Sequence, residues 1–358
     1  MQRILFLVAC DIDLTGTPVF IRDLIDGLDE ESEMKCEYYV YTPGLIKRNI
    51  YSQSVKLIEG KIKQIGVKSC PHIWKDLSRR FKNQSFDVVH INTSNVYLAA
   101  VYSKFFSMKG SRVICHSHNI IEYNKNLLQR LLVEVSKKVI VRNSETLFAC
   151  SEDAGVSMYG KKERFTVVNN FVDLERFKYS EHERIRIRKE CAHRYLLGHI
   201  GAFNGQKNQR FIIDVVNKLG YDYGLVLIGS GAEQETLKEY CVQERIRNVY
   251  FLNTCPDVGK YYSAFDVFLF PSLYEGFGRV LLEAEVSGLK KIASDNVPRS
   301  NAFECTYLPL VQNLWVDEIR KSCATLEKRC NRHELIKKAG YDKESVVRQL
   351  CKAYRGFS

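Results

Sequence analysis

Residues 267–295 read VFLFPSLYEGFGRVLLEAEVSGLKKIASD, and this stretch decides the fold. Four apolar residues, 267–270, have the pattern of a strand buried on both faces, and Pro271, which has no N–H for a ladder, ends it. A loop with Glu275, Gly276 and Gly278 follows. Helical spacing then predicts a helix over 280–287 and a second strand over 291–293. Glycines permit close backbone approach, and the open N–H groups at a helix start favour an anion such as phosphate. Glu275 in the loop and Glu283 in the helix, with seven residues between them, face one pocket. Carboxylates beside a phosphate are electrostatically wrong unless they accept from hydroxyls, and sugar hydroxyls are suitable donors. A phosphorylated sugar satisfies both demands.

The same rhythm extends outward in both directions. Upstream, the runs at 196–200 (LLGHI), 224–228 (GLVLI) and 249–252 (VYFL) predict strands, with helices at 209–219 and 233–244 between them. The first half repeats the pattern, with strands at 4–9 (ILFLVA), 36–41, 88–91 (VVHI), 113–115 and 146–149 (TLFA) and a helix at 18–28. Alternating strands and helices imply parallel sheets covered on both faces. The charged, strand-poor segment 173–194 reads as a linker. The fold class is therefore α/β with two Rossmann-like domains, residues 1–172 and 173–335, whose sheets are expected to face across a cleft. Residues 335–354 predict one helix, with Asp342 and Ser345 as candidate caps.

The chain has 358 residues, 45% hydrophobic and 27% charged, so it can build more than one core and is neither disordered nor collagen-like. A net charge of +11 favours anionic partners: nucleic acid, anionic lipid or a phosphorylated small molecule. No nucleic-acid motif accompanies it. The twelve cysteines contain no C-x-x-C pair, and the N-terminal apolar run lacks the cleavage site of a signal peptide. We expect reduced thiols and a cytoplasmic protein.

The window P-S-x-x-E-G-F-G-x-V-x-x-E-A, with its E-x7-E pair at Glu275 and Glu283, resembles glycosyltransferase family 4, the retaining enzymes of the GT-B fold. Other anchors agree with that resemblance. His199 to Asn208 (HIGAFNGQKN) is similar to the family's first phosphate loop, and Ile228 to Gly231 (IGSG) to its strand-to-helix turn. The resemblance implies a metal-independent transferase using an NDP-sugar, with a UDP-sugar as first choice, to extend a glycan or polyprenyl-linked acceptor in capsule, exopolysaccharide or lipopolysaccharide synthesis. It also implies a last helix, 336–358, that crosses back to the first domain.

The resemblance implies roles for particular residues. Glu283 would hold the ribose hydroxyls, Glu275 would lie by the donor sugar or its phosphates, and Phe277 and Gly278 would offer backbone N–H groups. Asn204, Lys207 and Gly229 belong to the matching phosphate loops, and Gly16 to the first loop of the N-terminal domain. His118 would act near the donor sugar and acceptor, with His116 as fallback; His90 would line the acceptor side. Ala202 stands where the family carries an arginine, so Arg279 or Arg210 is the expected replacement cation. No metal site is expected: Asp11 and Asp13 have D-x-D spacing but sit in the first loop. Residues 125–142 combine leucine and valine with Lys125, Arg130, Lys137, Lys138 and Arg142, which suits a peripheral contact with anionic lipid. Two alternatives are a sugar-nucleotide-binding protein that has lost turnover, and a GT-B sugar-nucleotide epimerase.

Overall fold

The run ILFLV forms strand β1 (Gln2–Val8), buried from Ile4 onward. In the computed structural model, which describes residues 1–13, 16–30, 35–62, 67–121, 126–189, 191–300 and 303–355, it sits at the centre of the first of two units. That unit comprises Met1–Asn170 together with Lys343–Ser358. Its other strands are β2 (Cys36–Thr42), β3 (Lys56–Glu59), β4 (Val88–Asn92), β5 (Arg112–Ser117), β6 (Thr146–Ala149) and β7 (Thr166–Val167). They order as β3-β2-β1-β4-β5-β6-β7, all parallel. The helix Gly16–Glu30 covers the sheet through Phe20, Ile21, Leu24, Ile25 and Leu28, the three-and-four spacing of an amphipathic face.

The second unit, Phe171–Asp342, repeats the plan with β8 (Tyr195–Ile200), β9 (Tyr223–Gly229), β10 (Val249–Asn253), β11 (Val267–Phe270), β12 (Lys290–Ser294) and β13 (Thr306–Leu308). The order is β10-β9-β8-β11-β12-β13, again parallel. The helix Gln209–Leu219 buries Ile212, Ile213, Val215 and Val216 among Leu197, Leu225, Leu227 and Trp315. In both units the direction of winding reverses beside the first strand, between β1 and β4 and between β8 and β11. Open α/β sheets bind ligands beyond the carboxyl ends of strands at such a point.

Two sequence expectations change here. Residues 173–194 are no free linker: they form helices Leu174–Phe177 and Glu181–Arg188 within the second unit. Arg184 and Arg188 reach the buried carboxylate of Asp266 at 2.6 and 2.8 Å, and that carboxylate also accepts from the Leu196 N–H at 2.7 Å. Two of the charges that suggested solvent are spent on one buried acid. The single helix expected over 335–354 is two, His333–Lys338 and Lys343–Arg355. Gly340, at φ +72°, breaks it in the left-handed region. Only the second piece belongs to the first unit, so the change of unit falls at 342/343, with the other at 170/171.

The helix Lys343–Arg355 returns to the first unit as expected. Lys343 pairs with Glu30 at 2.9 Å, Tyr354 is buried edge-on to Phe6, and the last-turn carbonyls of Ala353 and Tyr354 accept from Arg112. Cations at a helix C-terminus complement its dipole.

Candidate active site

β8 and β11 deliver the second unit's two polar loops side by side. After β8, Asn204 caps a short 3-10 turn, Gly205–Lys207, its side chain accepting from the Lys207 N–H at 3.1 Å. Asn208 then takes the left-handed conformation (φ 52°), which asparagine tolerates, and starts the helix Gln209–Leu219. After β11, the loop from Pro271 is sewn to this turn: the Leu273 N–H donates to the Gln206 carbonyl at 2.8 Å, and the Gln206 amide donates to the Tyr274 carbonyl at 2.9 Å. The result is an ion pair between Lys207 Nζ and Glu275 Oε1, with the ammonium 5.3 Å from the centre of the Phe270 ring. Two residues 68 apart in sequence, each singled out from its own motif, meet at one point.

Gly278, at φ +85°, opens the helix Arg279–Val286. Glu283 is buried on that helix and accepts from the Tyr262 hydroxyl at 2.7 Å. Tyr262 carries no motif and sequence reading missed it. Glu285, two residues on, serves structure instead: it is buried and paired with Lys291 at 2.5 Å. The Phe277 ring stacks on Tyr341 (5.3 Å, 16°), so any ligand role for this residue falls to its backbone. Gly229 and Gly231 are where the turn after β9 touches the loop after β8; a Cβ on Gly229 would lie 1.9 Å from the Gly201 carbonyl oxygen.

The two cations expected to replace the arginine at Ala202 stand in different surroundings. Arg210 lies 3.0 Å from the Tyr240 ring centroid and 3.5 Å from Asp214, committed to its own helix and the neighbouring one. Arg279 stands at the start of the helix that carries Glu283, one turn before it and 6.0 Å from the Phe171 ring. Beneath the pair, His199 is fully buried, its Nδ1–H donating to the Leu269 carbonyl at 2.9 Å.

In the first unit, Gly16 starts the helix Gly16–Glu30 at φ +48°. In β4, in β5 and just past the end of β5, three imidazoles stack. His90 and His116 lie 5.6 Å apart at 6°, and His116 and His118 lie 4.2 Å apart at 30°. Phe20 meets His116 and His118 edge-on. His90 and His116 have no exposed surface, so the acceptor-side places expected for them are corrected: neither presents an atom to a ligand here. His90 instead shares a 2.6 Å hydrogen bond with the Tyr354 hydroxyl of the C-terminal helix. Only His118 is partly exposed.

Burial pushes His90 down to about 3 and His199 down to about 4, and takes His116 well below the usual histidine range. These rings are neutral in the folded chain but titrate near 6.5 when unfolded. Above that pH their contribution to stability is flat. As pH falls from about 6.5 toward 4, the unfolded chain binds protons that the folded one refuses, costing about 1.4 kcal/mol per pH unit for each ring. Thermal melts should therefore fall steeply over this range. His116→Phe, which keeps the ring and removes two buried nitrogens that have no partner, should raise Tm and flatten the fall; a Tm unchanged by pH would contradict the burial argument.

The second of two parallel α/β units thus carries a carboxylate–lysine site at its switch point, and comparison with known proteins gives the family. The description "Glycosyl transferases group 1" matches residues 182–304 and "Glycosyltransferase Family 4" matches residues 14–176; the chain belongs to this family and is a glycosyltransferase. EpsF of Bacillus subtilis strain 168, a glycosyltransferase by name, is 32% identical over 292 residues, 76% of each chain. The UDP-Gal:alpha-D-GlcNAc-diphosphoundecaprenol alpha-1,3-galactosyltransferase of Escherichia coli is 24% identical over 242 residues, 61% of this chain and 60% of that one. The structure of Anabaena Alr3699/HepE in complex with UDP and glucose superimposes over 100% of both chains with a TM-score of 0.77 at 16% identity.

Proposed function

We propose that the protein moves a sugar from a UDP-sugar to a hydroxyl of a lipid-linked glycan, with retention at the anomeric carbon, during assembly of a surface polysaccharide. The carrying observation is the Lys207–Glu275 pair at the carboxyl ends of β8 and β11, with Glu283 on the adjoining helix. In this reading Lys207 and Arg279 stabilise the charge on the departing diphosphate, helped by the helix start at Gly278. Glu283, aligned by Tyr262, accepts from ribose hydroxyls, and Glu275 orients Lys207 and the sugar. Asn204 and Gly229 shape the loops that receive the phosphates, Gly16 is assigned to a phosphate contact through its backbone, and His118 addresses the sugar and the incoming hydroxyl. A diphosphate oxygen takes the acceptor proton, so no protein nucleophile is required, and the positive charge comes from the chain without a metal ion. The lipid-linked acceptor is supported by the Escherichia coli relative's name, and UDP by the nucleotide in the Anabaena structure. Incubation with a panel of sugar nucleotides, reading released UDP by coupled assay, should single out one donor through slow hydrolysis alone; release from none, with or without polyprenyl-diphosphate glycans, would sink the reading.

A lipid-linked acceptor would bring the reaction to the cytoplasmic face of a membrane, and we propose that one helix makes that contact. In Leu127–Asn143 only Val133 and Ile140 are buried. Leu127, Leu128, Leu131 and Val135 are each half exposed or more, on the opposite side. Lys138 and Arg142 continue the outward face one and two turns on, and Lys137 is tied to Glu134 at 2.9 Å. Lys125, the first residue of the expected stretch, lies outside the described residues. Among those residues no helix is long and apolar enough to cross a membrane. Leucine side chains entering the acyl boundary below a basic turn are the marks of an interfacial helix, with about 1 kcal/mol per cation on anionic lipid. The protein should float with vesicles containing phosphatidylglycerol and less with pure phosphatidylcholine. Leu128→Ser with Leu131→Ser should abolish flotation; flotation unchanged by that pair would remove this helix from the contact.

A further inference from the structure

The outermost ring of the imidazole stack is held at its Nε2, and that hold has a chemical consequence. Asn92 closes β4 and is 1% exposed. Its Nδ2 donates to the backbone carbonyl of His90 at 3.0 Å, which fixes the amide: the nitrogen faces its own strand, so the oxygen faces outward. That oxygen, Oδ1, lies 2.9 Å from His118 Nε2. An amide oxygen only accepts, so the nitrogen opposite it must carry a hydrogen. Neutral imidazole has one N–H, and fixing it on Nε2 makes Nδ1 the lone-pair nitrogen.

The geometry points to Asn92 as the positioning residue that sets the tautomer and ring orientation of His118, so that Nδ1 accepts a hydrogen bond from a substrate hydroxyl. This rests on the proposed role of His118 at the sugar and the acceptor. The surroundings fit a ring that must stay neutral and still. His116 stacks under it at 4.2 Å, His90 lies one ring further, and the edge of Phe20 meets it at 4.8 Å. Asn92 is uncharged, so it orients the ring without drawing a proton onto it; a carboxylate at the same place would stabilise imidazolium and remove the Nδ1 lone pair. The polar atoms that fix the amide come from β4, a central strand buried on both faces, so the orientation is set by the sheet.

Long-range ¹H–¹⁵N correlation spectra of the ¹⁵N-labelled full chain read the tautomer without any substrate. Wild type should show His118 protonated on Nε2, and Asn92→Leu should show a mixture of tautomers. In UDP-release assays Asn92→Leu should lower kcat about tenfold or more with KM nearly unchanged, as expected for a misplaced group. Asn92→Asp should restore kcat at alkaline pH while moving the acid limb of the profile up by about one unit. A wild-type ring protonated on Nδ1, or an Asn92→Leu variant with wild-type spectrum and pH profile, would overturn the assignment. If Asn92→Leu does not fold, the wild-type spectrum and Asn92→Asp carry the test. His118→Ala with turnover intact beside an Nε2–H wild-type spectrum would overturn the role given to His118 while leaving the tautomer as assigned.

Discussion

Glu275→Ala is expected to lower turnover by about 100- to 1000-fold, the loss usual when one preorganised electrostatic partner is removed from a transition state. The carboxylate is nearly buried, and its partner Lys207 is only 19% exposed along the side chain. Without Glu275 the ammonium loses the partner that fixes its direction and keeps only the weaker attraction of the Phe270 ring at 5.3 Å. Catalysis by placement is lost even though the cation remains. The same change breaks a buried ion pair, which costs about 3–5 kcal/mol when one charge is left behind, so the rate must be read beside a melt. Lys207→Met with Glu275→Ala discriminates: if the two act as a unit, the double variant turns over no more slowly than the worse single one. A folded Glu275→Ala enzyme with kcat within threefold of wild type would remove this pair from the reaction.

The second large effect falls on stability. Gly229→Ala places a methyl 1.9 Å from the Gly201 carbonyl oxygen. Overpacking against side chains costs about 1–3 kcal/mol because rotamers yield; here the obstacle is backbone, held by the Gly201 N–H bond to the Ile228 carbonyl at 3.0 Å and the Phe203 N–H bond to the Ser230 carbonyl at 3.0 Å. The cost should therefore reach about 3 kcal/mol or more, a fall of roughly 6–12 °C in Tm for a unit of this size. Gly16→Ala is the control. Its Cβ meets no atom within 4 Å, and only the positive φ opposes it, about 1 kcal/mol. Differential scanning calorimetry of both variants checks the contrast; equal melts would mean that the two loops can part, and that Gly229 is not needed for their approach.

Much of this architecture is written plainly in the sequence because buried parallel strands must be continuous apolar runs. β6 and β11, TLFA and VFLF, and the helix Gln209–Leu219 start and stop where the pattern does. The elements it hides are of two kinds. β3, β7 and β13 are short edge or near-edge strands, KLIE, TV and TYL, with no buried run to announce them. The helix Val96–Met108 is buried on eight of thirteen positions, so it has too little polar face to show a period. At the site, motif residues could be picked out singly, but their companions could not. Tyr262, Gln206 and Asn92 act through hydrogen bonds to residues distant in sequence or to backbone, and nothing in local spacing encodes such bonds. Burial, too, is a property of the whole sheet, which is why three histidines that look alike in sequence divide into two sealed rings and one partly open one.

The helix Lys343–Arg355 closes the unit that begins with β1. During vectorial synthesis that unit is the first to leave the ribosome and the last to be finished, because Ala353 and Tyr354 supply carbonyls to Arg112, and Gln2 donates to the Tyr354 carbonyl at 2.9 Å. The second unit, continuous from Phe171 to Asp342, can complete its sheet while the first still lacks Tyr354 against His90. Nascent chains halted before residue 343 should thus hold a protease-resistant second unit and a sensitive first one, reversing the order in which the two are made.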